Sequence, residues 1–422
     1  MKIIESIKNS SLLLKNFSSL TVLQFSNYFF PLITFPYLVR VLGPEKFGLI
    51  NFAAAFVAYF SVLTDYGFNL SATREISIAR KNSSRVNSIF SSVMTTKLIL
   101  FFIGTIIFFL ILFATPKLSE NYLIFMATFP IVLGSVLFPI WFFQGMEEMK
   151  YITIINVGVK FLWFVSIFLF IKSSDDTLLL VLLNSGSLLI IGIISLLIIK
   201  WKFHVSFKLP LFSDVKKQLY EGWYYFVSSA SITLYTNSNI FILGLFANNE
   251  IVGYFAAADK LRMAIQGLFG NAAQTVYPHL SLLFNESKMK AVGFVKKYIR
   301  LSVGVAVLVT ALAFVFSEDI ILIVLGKGYM NSLPIFRIIL FLPIIILLSN
   351  IYGIQVMLNL GYKKEFFKVI FYAGIINLIL SFILVPRYLA TGTAIAVTIT
   401  EIIVTLGMWN FTRKNNLLKS EG

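Results

Sequence analysis

The chain has 422 residues, of which 58% are hydrophobic and only 13% are charged. A soluble domain carries about 25% charged residues, so this composition indicates a protein that lies in a membrane. Its 35 Lys and Arg outnumber 19 Asp and Glu, but they lie in short breaks between apolar runs, which excludes the basic face of a soluble nucleic-acid-binding module.

Apolar runs of about 20 residues, the length that crosses roughly 30 Å of hydrocarbon, recur along the whole chain with short polar breaks between them. We therefore predict an all-α integral membrane protein with about 12 transmembrane helices. None of the breaks is long enough to fold as a separate soluble domain. The predicted spans are 17–41, 48–72, 88–114, 121–144, 152–171, 177–199, 218–246, 253–284, 298–317, 333–358, 368–385 and 392–412.

The basic residues are concentrated in alternate breaks, which the positive-inside rule assigns to the cytoplasm. This distribution predicts a multi-pass inner-membrane protein with both termini in the cytoplasm. The net charge of +16 then reflects topology and contact with anionic membrane lipid rather than a nucleic-acid partner. The most basic break, 200–217, contains Lys200, Lys202, Lys208, Lys216 and Lys217.

Two similar segments indicate that the chain has two halves. Residues 46–55 open the second predicted helix and residues 251–258 open the eighth, about 205 residues later, and each contains a glycine followed by an alanine-rich stretch. We predict a six-helix bundle over 1–199, a cytoplasmic linker over 200–217 and a second bundle over 218–422. Repeated halves on either side of a central pathway are typical of secondary transporters.

Three charged residues lie inside the eighth predicted helix: Asp259, Lys260 and Arg262. Charges at membrane depth are costly unless they have a partner or face a wet cavity. Asp259 and Arg262 are three residues apart, so they share a helix face and can pair. Either they form an interfacial ion pair while Lys260 reaches the headgroups, or they line a lumen; a polar track that continues inward favours the lumen. That track contains Gln266, Gly270, Gln274 and Tyr277, whereas Lys260 points about 100° away, toward Asn271. Gln266, Gln274 and Asn271 are predicted to bind substrate.

The first predicted helix and the seventh, its counterpart in the second half, also carry polar residues at helical spacing. Small polar residues often serve only to pack membrane helices together. The combined pattern of the first, seventh and eighth helices instead favours a hydrophilic cavity between the halves. The residues predicted to bind substrate there are Gln24, Asn27, Tyr28, Asn237 and Asn239.

Four further charged residues lie inside the predicted spans, apart from those near the span ends such as Glu221 and Arg337. Asp65, near the inner end of the second helix, is either an ion or proton site or the cap of a broken helix, and both interpretations stay open. Glu401 is an isolated carboxylate in the twelfth helix and is a candidate for ion coupling. Lys97 and Lys160 lie within two turns of predicted inner ends, where a lysine reaches the interface.

Several kinds of chemistry have no support in the sequence. Cysteine is absent, which removes disulfides, thiol catalysis and thiolate metal sites. No glycine loop with a lysine is present to hold a nucleotide, and histidines and carboxylates do not converge at metal-ligand spacing. We therefore expect neither a cofactor nor a metal.

Two motifs resemble those of a known family. The run Pro36–Gly48, followed by Asp65–Phe68 and Ala72–Glu75, resembles the N-terminal signature of bacterial polysaccharide-biosynthesis flippases, the Wzx-type translocases of O-antigen and capsule repeat units. The run Gly253–Ser281 is similar to the second-half signature of the same family. These flippases belong to the multidrug/oligosaccharidyl-lipid/polysaccharide exporter superfamily, and the resemblance covers nearly the whole chain.

The resemblance implies a fold and a function. The fold would be two six-helix bundles in a V around a central cavity, related by a pseudo-two-fold repeat. The function would be that of a flippase, not an enzyme, which moves undecaprenyl-diphosphate-linked oligosaccharides from the cytoplasmic to the outer leaflet by alternating access. Further implied partners are a polysaccharide polymerase and chain-length proteins.

The resemblance also gives roles to charged residues. Arg262 and Lys260 would hold the diphosphate, and Asp259 would orient Arg262. In the related lipid II flippases, cations of the first helix also matter, whereas the first helix here has the polar residues Gln24 and Asn27. This departure disfavours a lipid II substrate.

Two other functions stay open. A multidrug or cation exporter of the same superfamily would favour a negatively charged, aromatic lumen, whereas the cluster in the eighth helix is net positive. An integral-membrane glycan polymerase or ligase would need catalytic residues on a large outer loop, and the predicted outer loops are short. A purely structural membrane scaffold would leave the polar tracks unexplained.

Overall fold

The computed structural model describes the backbone of residues 2–419 and their side chains, except those of residues 2–15, 17, 20, 228, 231, 232, 234–236 and 271. Within 2–419 every regular element is a helix. A helix satisfies its backbone hydrogen bonds within itself, which the absence of water in the bilayer core requires. The predicted all-α fold class is confirmed.

Eight helical segments are long and apolar enough to cross a membrane. Two of them, Thr21–Ala79 and Lys363–Lys414, have 59 and 52 residues, which is sufficient for two crossings each. Two additional helices, Phe212–Phe246 and Asn249–Glu286, have 35 and 38 residues and carry more polar side chains. Counted in this way, the helices agree with the predicted number of about 12.

The chain divides into two compact units. The first unit contains the residues up to Leu42 together with Ala53–Thr233. Its core surrounds three fully buried aromatic residues, Trp141, Phe142 and Phe143. The helices that lie wholly or partly in this unit are Lys2–Asp65 (α1), Phe68–Ala79 (α2), Ser83–Ala114 (α3), Pro116–Ser119 (α4), Tyr122–Thr128 (α5), Pro130–Leu137 (α6), Ile140–Gly145 (α7), Met149–Phe170 (α8), the short 3-10 helix Ser174–Asp176, Thr177–Lys202 (α9) and Phe212–Phe246 (α10).

The second unit contains Gly43–Phe52 and the residues from Leu234 onward. Phe269, Leu280 and Ile351 contribute to its buried core. The boundaries predicted at 199 and 218 stay a prediction. The remaining helices are Asn249–Glu286 (α11), Lys288–Val315 (α12), Ser317–Ile320 (α13), the π-helix Ile321–Leu325, the 3-10 helix Lys327–Ser332, Leu333–Ile339 (α14), Leu342–Asn350 (α15), the π-helix Ile351–Leu358 and Lys363–Lys414 (α16).

Local backbone breaks divide the longest helices. Gly43 interrupts α1 with a φ of 69°, in the left-handed region that glycine enters without a steric penalty. Leu389 interrupts α16, three residues after Pro386. Tyr66 and Gly67 separate α1 from α2, and both have positive φ. These breaks allow one continuous run of helix to provide two separate spans.

The glycines in the two similar sequence segments pack against each other's helices inside the second unit. A Cβ on Gly48 would lie 1.8 Å from the carbonyl oxygen of Asn249, and a Cβ on Gly253 would lie 1.9 Å from that of Pro44. Each glycine therefore faces the carbonyl four residues before the other glycine. Small residues permit this close approach of membrane helices. The repeated motif thus forms one reciprocal packing contact.

Candidate functional site

An ion pair on α11 occupies the position predicted from the sequence. The Arg262 Nε donates to Asp259 Oδ1 at 2.7 Å, and a second guanidinium N–H donates to Gln266 Oε1. The side chains of Arg262 and Asp259 are only 9% and 16% exposed. Because α11 begins at Asn249, Asp259 lies about 15 Å into the helix, deeper than the predicted start at 253 implied. The Arg262 charge is therefore balanced locally.

Lys260, next to Asp259 in the chain, is exposed. Its Nζ lies 5.8 Å from the centre of the Phe47 ring, within the range of a cation–π contact. Gln274, further along α11, is also exposed, whereas the side chain of Asn271 lies outside the described residues. α11 therefore presents one exposed cation, Lys260, and one charge-balanced cation.

The polar residues of the first helix form two contacts within the first unit. Gln24 Nε2 donates to the Tyr28 hydroxyl at 3.2 Å, and the Tyr28 side chain is 47% exposed. The Lys160 ammonium of α8 donates to Asn27 Oδ1. The structure thus brings a lysine to one of the predicted substrate-binding residues.

The sequence placed Lys160 within reach of the interface, whereas the structure places it near the middle of α8 with its ammonium on Asn27. The predicted span, 152–171, placed Lys160 within two turns of the inner end. α8 instead covers Met149–Phe170, so Lys160 has 11 helical residues before it and ten after it. The apolar sequence on both sides of Lys160 was the available signal for a position in the middle of the helix.

Asp65 and Lys97 form an ion pair in the first unit. The Lys97 Nζ lies 3.9 Å from Asp65 Oδ1 and donates to the Ser135 carbonyl at 3.3 Å. Asp65 also accepts a hydrogen bond from Asn69 Nδ2 at 2.7 Å. The Lys97 side chain is 2% exposed, so it does not reach a headgroup as the sequence suggested. Asp65 therefore connects the break after α1 to α3.

The predicted polar residues of the seventh helix lie near the end of α10. Asn239 is buried there and Asn237 is half-buried. Both belong to the second unit. Their roles in substrate binding stay a prediction.

Glu401 lies in α16 and is 9% exposed. It lines a cavity of about 170 Å³ together with Ser349 and Asn350. The π-helix Ile351–Leu358 begins immediately after Asn350, and such helices are frequent at functional sites. Among the described residues, no three His, Cys, Asp or Glu side chains are grouped as metal ligands.

Solved structures with the same fold are membrane transporters. The chain matches the inward-facing conformation of a multidrug resistance MATE family transporter with a TM-score of 0.71 and 14% identity, over 96% of this chain and 100% of that one. It matches lipid II flippase MurJ in an inward closed conformation with a TM-score of 0.69 and 15% identity, over 94% of this chain and 89% of that one. At these identities the likeness is one of fold, and it defines a multi-pass membrane protein with a transporter fold.

The sequence comparisons identify the family. A family model described as polysaccharide biosynthesis protein matches residues 13–284. A relative from Escherichia coli strain K12, which carries the name "Putative O-antigen transporter", is 35% identical over 410 residues, covering 97% of this chain and 99% of that protein. This protein therefore belongs to the polysaccharide biosynthesis protein family, and the resemblance in the two sequence motifs is confirmed. Its place in the family also supports the inner membrane as its location.

Proposed function

We propose that this protein is a flippase. It moves undecaprenyl-diphosphate-linked oligosaccharide repeat units, of O-antigen or capsule type, from the cytoplasmic to the outer leaflet of the inner membrane by alternating access. The observation that carries this proposal is the full-length similarity to a relative named for O-antigen transport. The side chains inside the helices support it independently.

The polar residues of the first helix suit a sugar. Carbohydrate hydroxyls both donate and accept hydrogen bonds, and amide and phenol side chains do the same. Gln24 and Tyr28 are exposed, and Asn27 is half-buried, so all three remain accessible from one side of the helix. These side chains would replace water around the glycan headgroup, while the lipid tail stays in the bilayer.

A diphosphate needs fixed cations. Bare ions are expelled strongly from hydrocarbon, so a headgroup with two phosphates crosses only where the protein supplies charge and hydrogen bonds. Lys260 is exposed for such a role, and Arg262, two residues further along α11, forms hydrogen bonds with Asp259 and Gln266. Arg262, Lys260 and Asp259 are therefore proposed substrate-binding residues.

A multidrug or cation exporter is less well supported. Such a protein needs carboxylates that are available to an organic cation, but Asp65 and Asp259 already form ion pairs with Lys97 and Arg262. The cavity beside Glu401 has about 170 Å³, below the roughly 300–1,000 Å³ of pockets for drug-sized ligands. Asp65 and Glu401 are better candidates for coupling to a small ion or a proton.

The activity of a flippase also determines which cofactors and partners are expected. No bond of the substrate is made or broken, so we expect no catalytic activity and no requirement for a cofactor or metal. The distribution of Lys and Arg supports cytoplasmic termini. A polymerase and chain-length proteins that act on the delivered repeat unit are proposed partners.

The test is mass spectrometry of polyprenyl-linked glycans in cells depleted of this protein. We expect a complete diphosphate-linked repeat unit to accumulate and to stay inaccessible to a membrane-impermeant carbohydrate-oxidising label until wild type is restored. Polymerase-depleted cells are the control, because their repeat unit should accumulate in the labelled, outer leaflet. Unchanged glycan pools, together with altered sensitivity to cationic drugs, would contradict the flippase and favour the multidrug exporter.

A further inference from the structure

Lys160 lies close to the middle of α8, a helix that is long and apolar enough to cross a membrane. α8 has 22 residues and is therefore about 33 Å long, which matches the hydrocarbon core of roughly 30 Å. Lys160 is about 16 Å from each helix end. A lysine side chain cannot extend over that distance, so the ammonium does not reach the headgroups at either surface.

The Lys160 charge has a neutral partner. Its ammonium donates to the amide oxygen of Asn27, and in the part of the chain that the structure describes no carboxylate forms an ion pair with it. Among the described residues, the two buried cations, Lys97 and Arg262, each have an aspartate. An amide oxygen orients an ammonium but does not neutralise it. The first unit therefore holds, near the middle of α8, a positive charge that an anionic ligand would neutralise.

The Lys160 side chain remains partly accessible. The side chain is half-buried rather than enclosed, and Asn27 lies in the same stretch of α1 as the exposed pair of Gln24 and Tyr28. An ammonium has three N–H donors, of which the Asn27 amide accepts one. The other donors remain for a ligand that comes to the exposed side of α1.

We propose that Lys160, oriented by Asn27, binds a phosphate of the substrate's lipid diphosphate when the headgroup reaches mid-membrane. This inference rests on the proposed flippase function and adds to it a cation in the first unit that recognises the anion. Phosphate groups also occur in anionic bilayer lipids, but their headgroups lie at the surfaces, about 16 Å from Lys160. The source is therefore the translocated lipid.

The experiment is a binding titration of the full-length protein in detergent, measured by native mass spectrometry. The probes are undecaprenyl diphosphate and, separately, phosphatidylglycerol. The variants are Lys160→Met, which keeps the length and removes the charge, and Lys160→Arg, which keeps a permanent charge. Lys172→Met is the matched control, because Lys172 is an exposed lysine just after the same helix.

We expect Lys160→Met to weaken binding of undecaprenyl diphosphate by about 10-fold or more, the usual effect of one charge-assisted hydrogen bond. Lys160→Arg should retain most of the affinity, and Lys172→Met should match wild type. Binding of phosphatidylglycerol should be equal in all four proteins. A circular dichroism melt on each variant identifies any that has lost its fold.

Two results would overturn the assignment. Equal affinity of folded wild type and Lys160→Met for undecaprenyl diphosphate would show that Lys160 does not hold the phosphate. A loss that is as large for phosphatidylglycerol would show that Lys160 serves bilayer lipid instead. Either result is compatible with glycan accumulation in depleted cells, so it would leave the flippase proposal intact. If wild type binds no undecaprenyl diphosphate, that result would count against the flippase proposal and against the role of Lys160.

Discussion

Two lysines of the first unit lie well inside helices but have opposite surroundings. Lys97, in α3, is almost completely buried and faces the carboxylate of Asp65 at 3.9 Å. Lys160, in α8, is half-buried and its ammonium contacts the neutral amide of Asn27. The difference separates a charge that the protein balances from one that it leaves for another molecule.

The difference has an energetic basis. A buried ion pair adds little net stability, but removing one partner leaves an uncompensated charge and is strongly destabilising. A half-buried cation with a neutral partner pays part of the desolvation cost without the Coulomb attraction. Lys97 is therefore expected to matter for folding, and Lys160 for the substrate.

The largest effect is expected at the balanced pair. Asp65→Asn keeps an acceptor for Asn69 but leaves Lys97 without its carboxylate, so we expect a loss of about 3–5 kcal/mol in the free energy of unfolding. The measurement is thermal unfolding of the purified protein in detergent, together with its yield in membranes. The double variant Asp65→Asn/Lys97→Met should recover most of the loss, because it removes both charges.

This prediction also distinguishes a structural pair from a coupling site. If the double variant is stable and still clears lipid-linked glycan in cells, Asp65 is not needed for ion coupling. If the single and double variants are equally unstable, the Lys97 charge is not what Asp65 balances. The second result would contradict the proposed difference between Lys97, which has a carboxylate partner, and Lys160, which does not.

A smaller and more selective effect is expected at Asn27. Asn27→Asp places a carboxylate against the Lys160 ammonium and converts this lysine into one like Lys97. The protein should remain folded, because the added carboxylate lies against an ammonium that is already present and neutralises its charge. Clearance of lipid-linked glycan should fall by about 10-fold, because the internal carboxylate competes with the phosphate for the cation.

Asn27→Ser is the control for this substitution. It removes the amide without adding a charge, so its effect on clearance should be smaller than that of Asn27→Asp. Both variants are compared by mass spectrometry of the lipid-linked pool, at equal amounts of membrane protein. Equal clearance by wild type and Asn27→Asp would mean that the Lys160 charge is not used in transport.

The sequence predicted the helices and the local pair, because both depend on short-range rules. Hydrocarbon thickness fixes the length of an apolar span, so the number of membrane-spanning helices could be predicted from the sequence. The three-residue spacing of Asp259 and Arg262 was sufficient to predict their contact. Neither rule requires knowledge of how distant helices pack.

Contacts between distant helices were not readable from the sequence. Asn27 and Lys160 are 133 positions apart, and only the packing of α1 against α8 brings them together. The glycines at 48 and 253 were found as a repeated motif, but their reciprocal contact depends on how the helices cross. The depth of Lys160 was missed because the helix begins at Met149, three residues before the predicted start.

The most direct test of the account follows the lipid itself. Purified protein is reconstituted into vesicles with a fluorescent undecaprenyl-diphosphate-linked oligosaccharide, and a membrane-impermeant quencher reports how much of it lies in the outer leaflet. We predict that wild type exchanges the lipid between leaflets and that Lys160→Met does so about 10-fold more slowly. Protein-free vesicles are the control, and the measurement is repeated with an ion gradient in each direction. If folded wild-type protein leaves the lipid in its original leaflet under all of these conditions, the proposed flippase function is contradicted.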